Sequence, residues 1–77
     1  MNYSVLWKVR AIEQLNGITA SAEIPERIRD AASRVDYTLR RMPRDLGESR
    51  EPGFRLWFED VLGVYYRIDE DAVSVEV

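Results

Sequence analysis

The chain has 77 residues, 45% of them hydrophobic and 32% charged, with no cysteine and no histidine. A length of this order is one small domain, residues 1–77, which buries only about 60% of the surface its unfolded chain exposes. The absent residue types exclude a disulfide framework, thiolate chemistry and a serine–histidine triad, and remove the commonest general base and the commonest transition-metal ligand.

No apolar run approaches the ~20 residues that span a bilayer, so no membrane segment is expected. The opening MNYSVLWKVR has no basic leader before a long apolar stretch, so no signal peptide is expected either. The formal net charge of −3 is unevenly spread. Residues 1–26 carry two basic and three acidic side chains. Residues 27–55 carry eight basic and five acidic, and residues 56–77 carry one and six. All basic residues except Lys8 are Arg, the side chain that forks onto phosphate or carboxylate. The acidic last third would repel a nucleic-acid backbone, so a solvated helix face beside an acidic turn is favoured over a dedicated nucleic-acid footprint.

Tyr3 to Trp7 is β-rich, with Val5 between alternating aromatics, and is expected to be a short strand. From Lys8 the apolar period lengthens. Ala11, Ile12, Leu15, Ile18 and Ala22 recur at three or four residues, a helical stripe that either ends at Asn16-Gly17 or continues through a weak point. Pro25 suits the first turn of a second helix. Ile28, Ala31, Ala32, Val35, Leu39 and Met42 then form its apolar stripe, with Asp30/Arg34 and Asp36/Arg40 spaced to pair outside and Pro43 as the stop. Residues 43–53, PRDLGESREPG, are expected to be a loop.

Three alternating strands complete the chain. Phe54, Leu56 and Phe58 make one apolar face, Leu62, Val64, Tyr66 and Ile68 the next, and Val73, Val75 and Val77 the third. Short connections predict an antiparallel meander. The expected fold is α+β in the order β-α-α-β-β-β, a helical hairpin packed on one face of a small, mainly antiparallel four-stranded sheet. The expected core comprises Trp7, Ile12, Leu15, Ile28, Val35, Leu39, Leu56, Val64, Tyr66 and Val75. With Glu59-Asp60-Val61 as a three-residue loop, Phe58 pairs with Leu62 and Leu56 with Val64. Arg55, Trp57, Tyr65 and Arg67 then converge on the face away from the helices, with Trp57 over Gly63. Two aromatics beside two guanidinium groups are the makings of a partner-binding surface. Arg44 and Arg50 are further candidate binding cations, in a loop where Asp45, Glu48 and Glu51 are at hand to pair with them. The acidic turn Asp69-Glu70-Asp71 is expected to be solvated. No metal is expected, because a three-acid turn is far more often solvated than ligating and His is absent, and no small-molecule cofactor is expected, since the four glycines form no phosphate-cradling loop.

The order Val5-Leu6-Trp7, Ala11, Leu15, then Ile28, Ala32, Val35, Leu39, Pro43 and Gly47 leads into Gly53-Phe54-Arg55. Val64-Tyr65-Tyr66-Arg67-Ile68-Asp69 and Val73-Ser74-Val75-Glu76-Val77 follow. Over nearly its whole length this resembles the RelE/ParE superfamily of bacterial type II toxins. The resemblance implies a cytoplasmic toxin neutralised by an antitoxin. It implies either a ParE-like inhibitor that binds DNA gyrase or a RelE-like ribonuclease that cleaves mRNA on the ribosome. Departures separate the two. Arg55 matches one basic position of the nucleases, but Gly53 stands where a Lys is usual and Leu62 where an Arg is usual. No basic residue with a Tyr or His follows Val77 in this sequence. Cleavage by 2′-hydroxyl attack needs a base, an acid and cations for the phosphorane. The residues offer Arg55, Arg67 and Tyr65 but no evident base. A ParE-like toxin or toxin-derived component acting by protein binding is therefore expected. A RelE-like ribonuclease with a reduced site, or a degenerate member without toxicity, is the alternative.

Overall fold

A computed structural model describes residues 2–77 of the chain. The elements are β1 (Ser4–Leu6), α1 (Val9–Ser21), α2 (Pro25–Arg41), a 3₁₀ turn (Pro43–Asp45), β2 (Glu48–Glu51), β3 (Phe54–Glu59), β4 (Leu62–Asp69) and β5 (Ser74–Glu76). The fold is α+β, two helices on a five-stranded open sheet ordered β1-β5-β4-β3-β2. β1 runs parallel to β5 and every other neighbouring pair is antiparallel. The sheet thus has one strand more than the sequence pattern predicts. β2 lies in the segment expected to be loop. Its residues Glu48, Ser49, Arg50 and Glu51 are all exposed, so this edge strand has no apolar alternation to announce it.

α2 is the central packing element. Pro25 occupies its first turn, and Ile28, Ala31, Val35 and Leu39 are all buried. They meet Leu62, Val64 and Tyr66 of β4, Val75 of β5 and Tyr3 in one core cluster. Polar clamps fix both ends of the helix. Arg27 grips Asp60 with two charge-assisted hydrogen bonds of 2.7 and 2.6 Å, and Arg34 lies 3.6 Å from Glu59. At the other end the Arg40 carbonyl accepts the Tyr3 N–H at 2.7 Å. α1 runs unbroken through Asn16-Gly17, but none of its residues is fully buried, because it leans on α2 rather than on the sheet. Ile12, expected in the core, is 43% exposed.

The β3–β4 hairpin overturns the expected register. Glu59 pairs with Leu62, Trp57 with Val64 and Arg55 with Tyr66. The turn is the two residues Asp60 and Val61, with Asp60 at φ 53. One loop residue fewer moves every β3 side chain to the opposite face. Trp57 packs against the core, and Leu56 joins Phe54 and Phe58 on the face away from the helices. A two-residue turn matches the twist of the strands it joins, and Asp tolerates the left-handed conformation that such turns need. The inward polar groups are all satisfied. Glu59 meets Arg34, while Arg55 donates to the Leu46 and Gly47 carbonyls. Gly63 is covered by Phe58 rather than by Trp57, since a Cβ there would lie 3.0 Å from the Phe58 ring.

Candidate binding cleft between the first helix and the fourth strand

The four residues expected to converge are divided by the sheet. Arg55 and Trp57 lie on the helix-facing side, Tyr65 and Arg67 on the other. Arg55 is committed to structure: its Nε donates to the Leu46 carbonyl at 2.6 Å and a terminal nitrogen to the Gly47 carbonyl at 3.2 Å. Together with the Tyr66 hydroxyl, which donates to the Pro43 carbonyl at 2.6 Å, it fastens the chain around the 3₁₀ turn to the sheet. Tyr65 stacks on Phe54, with ring centroids 5.4 Å apart, and donates its hydroxyl to Glu51 at 2.7 Å. Arg44 lies 3.8 Å from Glu70 and Arg50 lies 3.3 Å from Glu48. These two cations are apart from each other and from Arg67, so the set of six forms no single site.

A different constellation is assembled by α1, β4 and β5. β4 is eight residues long and β5 only three. β5 covers β4 at Arg67, Ile68 and Asp69 alone, whereas β3 covers Leu62 through Arg67 on the other side. Beyond the end of β5, a cleft of about 290 Å³ opens between α1 and the uncovered half of β4. Ala11, Leu15 and Ile18 form its helical wall, and Leu62, Val64 and Tyr66 line the sheet side. A volume near 300 Å³ is at the small end of ligand-binding pockets. Lys8, Arg10, Arg67 and Glu76 stand around the mouth. Glu76 lies 3.1 Å from Lys8 and 3.9 Å from Arg67. Arg10 has no carboxylate within ion-pair distance among the described residues. Two of these cations, Lys8 and Arg67, thus share Glu76 in a chain whose net charge is negative.

The titration behaviour does not point to catalysis. Burial pushes the Tyr66 hydroxyl up, with Arg55 nearby opposing it. Tyr3 is raised by burial and by its hydrogen bond to Glu70, and Tyr65 by its hydrogen bond to Glu51. The hydrogen bonds from Arg27 hold the Asp60 carboxyl below the usual range. Each shift moves its group away from neutrality, the opposite of what general acid–base work requires. Among the described residues no group of three or more carboxylates is placed to hold a metal ion. Asp69 instead accepts the Ala72 N–H at 3.1 Å, within the turn it opens. Among the described residues no helix is long and apolar enough to cross a membrane. No family model, curated protein or solved structure matches the chain.

Lys8, Arg10, Glu76 and the uncovered edge of β4 are the features that the sequence pattern does not single out.

Proposed function

We propose that the protein acts by binding another protein, as a cytoplasmic toxin or toxin-derived component of a type II toxin–antitoxin system held by an antitoxin. The observation that carries the binding part is the cleft. It combines an apolar wall with a rim that carries Lys8, Arg10 and Arg67. The toxin part rests on the order of residues that resembles the RelE/ParE superfamily, with a ParE-like, gyrase-type target preferred. The ribonuclease alternative loses support because Arg55, its best-matched residue, is held by two backbone carbonyls.

The test is growth after induction of the protein, alone and with the product of an adjacent small reading frame. Arrest relieved by that product, with inhibited gyrase supercoiling in vitro, is the expected result. Normal growth with no complex between the two products would remove the reading. Cleavage of ribosome-bound mRNA would replace it with the nuclease.

A further inference from the structure

β3 and β4 turn a second apolar surface away from the helices. Paired residues of neighbouring strands share a face. The register therefore places Phe58 beside Gly63, Leu56 between Glu48 and Tyr65, and Phe54 between Glu51 and Arg67. Phe58 is 66% exposed and Tyr65 46%, while Phe54 and Leu56 are half-buried. These four present on the order of 300 Å² of apolar surface, a size at which a patch on a monomer is often functional. The Phe58 ring leans off β3 over Gly63, where no side chain stands. Charge is divided across the same face. On the β2 side Glu48 pairs with Arg50 at 3.3 Å, while Glu51 accepts the Tyr65 hydroxyl and has no ion pair among the described residues. On the β5 side Lys8 and Arg67 share Glu76, at 3.1 and 3.9 Å. Asp69, next along β4 on this face, is taken up by its own turn, where it accepts the Ala72 N–H.

We propose that this face is the interface of a homodimer, two copies packed sheet to sheet about a twofold axis that runs along the strands between β3 and β4. The inference goes beyond the toxin reading and does not depend on it. Rotation about that axis lays β3 of each copy over β4 of the other, and β2 over β5. Each Phe58 ring tilts toward β4, hence toward the axis, so the two rings meet at the centre. Leu56 then faces Tyr65 of the partner subunit, and Phe54 faces Arg67 of the partner subunit, a cation over a ring. Aligned sheets pack about 10 Å apart, a gap that aromatic side chains fill. The rim supplies the choice of occupant. Glu51 of each copy comes over the side where two cations share one carboxylate, whereas an axis across the strands would set Glu51 against its own counterpart. A face of one sign would suit a foreign partner of the other sign, but opposite signs on opposite sides suit a second copy. With the charged rim included, each copy would bury about 600 Å², less than the roughly 800 Å² of a standard interface, so the dimer is a weak and reversible one.

The test is sedimentation equilibrium of the full chain from micromolar to millimolar concentration. The expected result is a mass that rises from one chain to two. Phe58→Ser, on an exposed side chain, should weaken association by about tenfold or more while thermal unfolding changes little. Glu51→Lys and Arg67→Glu should each weaken it by about tenfold. The chain carrying both should associate like the parent, because the excess charge on the two sides is then exchanged. In a mixture of isotope-labelled and unlabelled chains, filtered NOE spectra should join Phe58 to Phe58 and Leu56 to Tyr65 between copies.

The mass of a single chain at millimolar concentration overturns the proposal. So does a dimer that Phe58→Ser leaves intact, or one whose contacts between copies run through α1 or β1. A dimer that Phe58→Ser breaks but Glu51→Lys does not weaken overturns the direction of the axis. If the free chain is monomeric and Phe58→Ser abolishes the complex with the neighbouring product, that product is the occupant and the homodimer is removed. Dimerisation of a chain that never arrests growth supports the interface and removes the toxin reading.

Discussion

Two glycines test the backbone argument with opposite signs. Gly47 precedes β2 at φ 58, and a Cβ built there would overlap the Leu56 carbonyl group and the Trp57 Cα. These are backbone atoms of the neighbouring strand, so no rotamer change relieves the contact. A left-handed L-residue costs roughly 1–2 kcal/mol. Displacing β2 from β3 would also weaken the bond from Arg55 to the Gly47 carbonyl, a further contribution of roughly 1 kcal/mol. Gly47→Ala should therefore destabilise the protein by about 2–4 kcal/mol, and Tm should fall by at least about 8 °C in a domain of this size. Gly17 sits within α1, and a Cβ added there would meet nothing within 4 Å. There Gly17→Ala gains helix propensity, about 0.5–1 kcal/mol, and Tm should rise by about 2–8 °C. Thermal unfolding by circular dichroism reads both variants. A Gly47→Ala protein within about 2 °C of the parent would refute the close approach of that turn to β3. A fall in Gly17→Ala would refute the continuous, unobstructed helix.

The face assignment of β3 predicts that Trp57→Ala costs at least about 2 kcal/mol, while Phe58→Ala, on a side chain 66% exposed, stays within about 1 kcal/mol. Urea unfolding decides it, and the reverse order would restore the three-residue loop. Tyr66 is 1% exposed and its hydroxyl donates to the Pro43 carbonyl, so Tyr66→Phe should cost about 1–3 kcal/mol by orphaning that acceptor. The Tyr66 hydroxyl is raised above its usual 10.0. Its unfolded form ionises first, so its stabilisation is present below pH 10 and declines as pH rises through the folded value. That alkaline slope, measured by thermal unfolding, should flatten in Tyr66→Phe. Asp60 lies below its usual 3.8, so its contribution is present above that value and is lost as pH falls through the lower folded one. Carboxyl NMR titration should show Asp60 returning to the ordinary range in Arg27→Gln, and no change there would refute the Arg27 clamp.

The legible parts of the fold are those where one apolar stripe has one place to go. α2 is the clearest. Ile28, Ala31, Val35 and Leu39 repeat at helical spacing, and all four are buried. α1 shows the same period, but period gives a face and not the depth of its burial, so Ile12 lies further out than its place in the stripe implies. The face of β4 is legible because Gly63, Tyr65 and Arg67 are poor core residues beside Leu62, Val64 and Tyr66. That of β3 is not, because both of its faces are plausible: Phe54, Leu56 and Phe58 on one, Trp57 between Arg55 and Glu59 on the other. Hydrophobicity favours the first, and only the turn length decides for the second. That one residue also dissolves the expected site, since it takes Arg55 and Trp57 off the face of Tyr65 and Arg67. β2 is invisible for a related reason. A polar edge strand is specified by its pairing partner and not by its own pattern.

The two outer strands of the sheet are protected in different ways. At one side β2 presents Glu48, Arg50 and Glu51 and is followed by Pro52, charges and a proline that resist further pairing. At the opposite side β1 is only three residues long, too short to template much. The apolar face of α1 is closed only in part: Leu15 packs against the core cluster, while Ile18 is 47% exposed at the cleft. Burying one more apolar side chain there would contribute about 1.5–3 kcal/mol, so a bound apolar group at the cleft has surface left to cover.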